Sequence, residues 1–204
     1  MPNWCNNTLR VTGNVEQLKE FVSKVTKPAD HNHPNDFEFT LEGLYPTPPE
    51  LMGEAAFGQS ENSETLSEKF GFSDWYSWRV NNWGTKWDVS ESNIMDDDGE
   101  AFTVSFDSAW SPPSPWLEHI APQFPELKFR MTYQEPGMGY CGYCSWNAED
   151  GFDSDDDELQ FTDEDGNQVE YDSENDKWKN IETGEYYEDE YFYPVEYNPY
   201  EELY

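Results

Sequence analysis

From Glu149 to Tyr204 acidic residues crowd between tyrosines, and Lys177 and Lys179 are the only basic side chains. Like charges at that density oppose compaction, so the segment either stays solvated or hangs as strands from a core built elsewhere in the chain. Over all 204 residues, 44 Asp and Glu oppose 11 Lys and Arg, a formal net charge of -33. Such a chain has little to offer a phosphate backbone by counterion release, which argues against direct nucleic-acid binding. Anionic membrane surfaces repel it as well. The field selects for a basic protein surface as partner.

The core must then come from residues 1–148. The chain carries thirteen Phe, thirteen Tyr and nine Trp, more aromatic material than a wholly disordered acidic protein holds. Leu9 and Val11 alternate as in a strand, and Asn14 is placed to cap a helix bearing Val15, Leu18, Phe21, Val22 and Val25, with Gln17 at the capping-box position. Residues 28–74 read as an insertion. Phe37, Phe39 and Leu41 alternate within it, and its later part, 54–69, is polar and expected to be mobile. A short helix near Trp75 and a strand over 86–93 follow. Asp96-Asp97-Asp98-Gly99 then turns the chain into a strand with Phe102, Val104 and Phe106 on one face. Ser114 opens a helix that Pro122 keeps short, and Leu127, Phe129, Met131 and Tyr133 alternate as another strand. The order β-α-(insertion)-β-β-α-β is that of an α+β, ferredoxin-like split βαβ domain, with helices on one face of an antiparallel sheet. Residues 149–204 form its acidic extension, in which Asp163–Gly166 and Glu182–Gly184 signal turns of a hairpin.

Four motifs run through the first part: Met1-Pro2-Asn3-Trp4-Cys5-Asn6-Asn7, Asn82-Trp83-Gly84-Thr85-Lys86-Trp87-Asp88, Phe106-Asp107-Ser108-Ala109-Trp110-Ser111-Pro112-Pro113 and Glu135-Pro136-Gly137-Met138-Gly139-Tyr140. In these the chain resembles the YubB-type ferredoxin-like family of bacteriophages and conjugative plasmids, over roughly residues 1–146. The resemblance implies a mobile-element protein in a bacterial cytoplasm and brings no established reaction. The acidic extension and Pro122 depart from the family's compact pattern.

Several patterns offer chemistry and are weighed against simpler readings. Cys141-Gly142-Tyr143-Cys144 has the spacing of a redox pair or half a zinc site, yet it lies in a glycine-broken strand, and three cysteines fit ordinary thiols in a reducing compartment. Cys5 with His31, His33 or His119 completes a zinc set only by arithmetic. Asp153, Asp155 and Asp157 copy the opening of an EF-hand loop but lack its glycine. Asp88, Asp107 and Glu135 beside Lys86 are the carboxylates placed for catalysis; ion pairing with Lys86 and Arg79 is the simpler reading. No nucleotide-binding or nucleophile motif is present. The expectation is a protein that is not an enzyme and carries no cofactor or metal.

Two functional readings remain. In the first, the extension presents Asp155, Asp156, Asp157, Asp163, Asp165, Glu188, Asp189 and Glu190 as charge and Tyr187, Tyr191, Tyr193 and Tyr197 as anchors. It thereby mimics DNA and inhibits a basic host protein such as a DNA-binding defence nuclease. In the second, Asn3, Trp4, Asn6, Trp83, Lys86, Trp87, Asp88, Asp107, Trp110 and Glu135 line a pocket that sequesters a small nucleotide or signal molecule.

Overall fold

The computed structural model describes residues 3–29, 37–53, 62–97, 99–187 and 192–195. Alternation builds β1 (Trp4–Gly13): Cys5, Asn7, Leu9 and Val11 are buried on one face while the residues between them face the other way. Asn14 caps α1 (Val15–Val25), its side-chain oxygen accepting from the Glu16 and Gln17 amides at 3.0 and 3.2 Å. The capping box is only half formed. Gln17 turns instead to Glu126, accepting from its backbone N–H and donating to its carboxylate, both at 3.1 Å. Leu18, Phe21 and Val25 are buried, whereas Val15 is 43% exposed and falls off the stripe.

After α1, β2 (Thr26–Pro28) pairs with β3 (Phe37–Phe39), and two helices follow, α2 (Ser63–Phe70) and α3 (Trp75–Asn82). Part of the stretch expected to be mobile is therefore helical. Leu66 buries against the core and Gly71, at φ 78°, ends α2 in the left-handed conformation that glycine accepts at least cost. Residues 54–61 lie outside the described set. Asp74 caps α3 by accepting from the Ser77 amide at 2.8 Å.

β4 (Ser90–Asp97) begins later than the expected 86–93. The reason is Asp88, whose carboxylate accepts from the Thr40 hydroxyl at 2.6 Å and the Leu41 amide at 2.9 Å, fastening this segment to the chain just after β3 before it can enter the sheet. β5 (Ala101–Ala109), α4 (Ser114–Ile120) and β6 (Leu127–Glu135) follow, with Pro122 in a 3-10 turn that closes α4. The strand order β4-β5-β1-β6 is antiparallel throughout, and β5 separates β4 from β1, which is the ferredoxin-like split βαβ arrangement. Phe21 of α1 meets Phe102, Phe124 and Phe129 edge-on at 5.4–6.1 Å, and each such buried ring contributes roughly 1.5–3 kcal/mol over exposure.

The sheet does not stop at four strands. β7 (Tyr140–Asn147) and β8 (Gly151–Glu158) continue it as a meander, so the division expected at 148/149 falls in the turn of a hairpin. A second sheet then forms from β9 (Phe161–Thr162), β10 (Gln168–Asp172), β11 (Lys177–Asn180) and β12 (Tyr193–Pro194), in the order β11-β10-β9-β12. Its small core is Trp178, which meets Phe161 and Phe192 at 4.9 Å, together with buried Val169.

Candidate functional site

β8 is the outer strand of the main sheet and almost wholly acidic. Asp153, Asp155 and Asp157 stand opposite Ser145, Tyr143 and Cys141 on the face away from α1 and α4, while Asp156 and Glu158 project on the other face. All five are exposed. Carboxylates at every second residue of a strand lie about 6.6 Å apart, a spacing of the same order as phosphates along a nucleic-acid strand. That geometry also disposes of the EF-hand resemblance, because an extended ladder cannot close around one cation.

Aspartate is a poor strand former, so something else must hold β8 in place. Phe152 packs beside Trp146, and two tyrosines of the sheet reach the edge. The Tyr143 hydroxyl donates to Asp153 at 2.8 Å, and the Tyr133 hydroxyl donates to Asp156 at 2.5 Å. Tyr133 is a buried residue of β6 and crosses β7 over Gly142; a Cβ there would come within 2.8 Å of the tyrosine hydroxyl and 2.4 Å of the Asp155 carbonyl. Burial, and then the Asp156 bond, push the Tyr133 phenol up. Two outward amides of the edge are also engaged: the Asp155 and Asp157 carboxylates accept from the N–H groups of Asp156 (3.1 Å) and Glu158 (2.7 Å).

In the second sheet the acids divide by role. Asp165 is exposed in the β9–β10 turn. Asp163, expected to face a partner, is only 7% exposed and builds that turn, accepting from the Asp165 and Asn167 amides, the Asn167 side chain and the Tyr187 hydroxyl at 2.8–3.0 Å. These donors, the Asn167 side chain first, hold its carboxyl below the usual range. Tyr187, expected as an anchor, is half-buried, bonded to Asp163 and packed against Phe192 at 5.2 Å. Tyr193 is 54% exposed on β12. Glu188, Asp189, Glu190, Tyr191 and Tyr197 lie outside the described residues. Two more of the described tyrosines serve the acids in the same way: Tyr186 donates to Asp172 at 2.7 Å and Tyr171 to Asp176, so phenols do for these carboxylates what scarce cations cannot. Asp153 and Glu158, which sequence reasoning did not assign to the acidic surface, belong to it. Their signal was the unbroken polar run after Phe152.

The tryptophan and asparagine motifs converge only in part. Trp4, Trp87 and Trp110 are each 36–40% exposed; Trp4 meets Trp87 at 6.3 Å, and the Lys86 ammonium lies 3.8 Å from the Trp87 ring centroid and 3.7 Å from that of Trp110. Lys86 thus pairs with indoles, while Arg79 pairs with Glu42 at 2.6 Å. Asn6 donates to Asp107 at 2.7 Å on the open face, beside a shallow cleft of about 300 Å³ lined also by Glu91 and Gln134. Asn3 lies against Gly137 and accepts, through its backbone carbonyl, from the Trp110 amide at 3.0 Å. The rest of the expected set is architecture. Trp83 is fully buried and donates to the Tyr45 carbonyl, Asp88 is held by Thr40 and Leu41, and buried Glu135 accepts from the Gly137 and Met138 amides. Asp107 and Glu135 point to opposite faces of the sheet and share no pocket.

The thiols are quiet. Cys141 and Cys144, three apart in a strand, face opposite sides of the sheet and cannot form a dithiol pair. Burial pushes the thiols of Cys5 and Cys144 up to about 12 and that of Cys141 to about 11, leaving no thiolate at neutral pH. His119 stacks on Tyr45 at 3.7 Å, and His31 and His33 lie outside the described residues. Among the described residues no three His, Cys, Asp or Glu side chains converge as metal ligands would, and no described helix is long and apolar enough to cross a membrane.

Residues 82–177 match the family model described as the ferredoxin-like domain in Api92-like protein. The match spans β4 to β10 and so takes in the acidic edge and the start of the second sheet. Among solved structures, the crystal structure of the protein api92 from Yersinia pseudotuberculosis is similar at 14% identity, covering 76% of this chain and 98% of that one, with a TM-score of 0.49. No curated protein matches the chain.

Proposed function

We propose that this is a non-enzymatic accessory protein of a phage or plasmid that binds a basic, nucleic-acid-binding host protein through a DNA-mimic surface and blocks it in the bacterial cytoplasm. The observation that supports this is the ladder Asp153, Asp155, Asp157 with Asp156 and Glu158 on a strand fixed in the main sheet. A mimic has to hold its charges at set distances, and a paired strand does that while a solvated tail does not. Steering by the net charge of -33 speeds encounter.

The test is capture from bacterial lysate by the parent protein and by Asp153→Asn/Asp155→Asn/Asp157→Asn, in which each side chain keeps an acceptor oxygen and loses its charge. The parent should retain a partner that duplex DNA or raised salt releases, and the triple variant should retain none. A partner held equally by both, or indifferent to DNA, refutes the mimic. The alternative, a sequestering pocket for a small nucleotide or signal molecule, draws on the exposed Trp87 and Trp110 around Lys86, with Trp4 beside Trp87. In its disfavour, Lys86 already fills the space between two of the indoles, and a phosphate-bearing ligand meets a negative chain. Ligand-dependent tryptophan fluorescence, abolished by Trp110→Ala, would support it.

A further inference from the structure

The β6–β7 turn and the second sheet enclose a groove of about 710 Å³. Its apolar walls are Met138, Phe161, Val169, Tyr171, Trp178 and Ile181, and Met138, Tyr171 and Ile181 remain 66%, 49% and 52% exposed. The walls are held in place. Glu135 fixes the turn through the Gly137 and Met138 amides at 3.1 and 2.5 Å, the Leu159 amide donates to the Gly139 carbonyl at 2.8 Å, and Trp178 is wedged between Phe161 and Phe192. The groove is thus formed without its occupant, which spares the ordering cost of binding. Two carboxylates line it. Glu158 is the last residue of β8, so the acidic edge runs into the groove, and Glu170 lines it from β10, shared with Lys179 at 2.8 Å.

We infer that this groove is a docking slot for a short segment of a basic partner protein, one that places an aliphatic side chain between lysines or arginines. The inference rests on the acidic-surface reading and adds to it the element that discriminates among basic partners. Charge alone attracts every cationic protein, whereas an apolar slot at the end of a charged edge selects a cation pattern with a hydrophobic residue at the right place. The same carboxylates exclude an anionic ligand.

Two capped, labelled nonapeptides of equal charge test it by fluorescence anisotropy: lysine alternating with leucine, and lysine alternating with serine. The parent protein should bind the leucine peptide about tenfold more tightly. Met138→Ser/Ile181→Ser, at exposed positions that leave the fold in place, should bind both peptides alike, with an unchanged urea midpoint as control. Asp153→Asn/Asp155→Asn/Asp157→Asn should weaken both peptides by the same factor. If the parent binds the peptides equally, or the groove variant keeps the leucine preference, the groove inference is overturned while the acidic edge stands. If the triple Asn variant weakens neither peptide, the acidic-surface reading falls and takes the basic occupant with it.

Discussion

Gly142→Ala is a single methyl placed where the acidic edge depends on empty space. The added Cβ would stand 2.4 Å from the Asp155 carbonyl oxygen and 2.8 and 2.9 Å from the Tyr133 hydroxyl oxygen and ring carbon, so backbone of β8 and a buried ring must both move. Overpacking of that kind costs roughly 1–3 kcal/mol. If Tyr133 swings away, its charge-assisted bond to Asp156 goes too, about 1 kcal/mol here because the exposed carboxylate regains water. The sum, about 2–4 kcal/mol, should appear in urea unfolding as a lower midpoint at similar slope, and as a fall in Tm of roughly 4–16 °C. Tyr133→Phe removes only the hydroxyl bond and should cost about 1 kcal/mol. Hydrogen exchange supplies the local readout: the β8 amides that pair with β7 should lose protection in Gly142→Ala, while those of β1 and β5 keep theirs. A Gly142→Ala protein within about 0.5 kcal/mol of the parent, with β8 still protected, would refute the claim that Tyr133 crossing β7 holds the edge in place.

Other expectations can be checked with equally simple measurements. Native protein at pH 8 should leave Cys5 and Cys144 unmodified by iodoacetamide, whereas all three thiols react in urea; since burial raises these pKa values from 9.0, their contribution to stability is full below about 9 and is lost as pH climbs toward 12. Asp172, pulled from 3.8 to about 2 first by the Tyr186 hydroxyl and then by the Asn175 side chain, contributes stability above about pH 4 that disappears as pH falls toward 2. The Tm gap between parent and Asp172→Asn should therefore close over that window; a gap that persists at pH 2 contradicts it. Raising NaCl from about 20 to about 500 mM should raise Tm, because screening relieves repulsion within a chain of charge -33, and a fall would mean that paired charges dominate.

Much of the fold was legible because its signals are local. The alternation of Leu9 with Val11, the stripe Leu18, Phe21 and Val25, and the run Leu127, Phe129, Met131 and Tyr133 each name a buried face, and together they dictate the ferredoxin-like order. What was not legible depends on contacts distant in sequence. Nothing near Asp88 announces that its carboxylate will hold Thr40 and Leu41, and so delay β4. Nothing near Gln17 announces Glu126. Residues 153–158 lack apolar alternation, and their strand exists because Tyr133, Tyr143 and Phe152 secure it. The candidate site followed the same division: the acids of β8 were visible as charge, while the structural duties of Asp163 and Tyr187 and the groove beside Met138 came only with the packing.

A charged edge strand has two uses, and the same three residues separate them. Proteins place charge on sheet edges to prevent another strand from pairing there, so the ladder on β8 would exist even in a chain with no partner. Blunting, however, asks only that the outward N–H groups be occupied, and on β8 the side-chain oxygens of Asp155 and Asp157 already occupy those of Asp156 and Glu158. Asparagine keeps that oxygen. If the caps do the blunting, the triple Asn variant will sediment like the parent while losing the basic partner, and the charge is then surplus to architecture and belongs to recognition. If the variant instead self-associates, with β8 amides newly protected in the assembly, the charge itself guards the edge, and the case for mimicry loses its principal support.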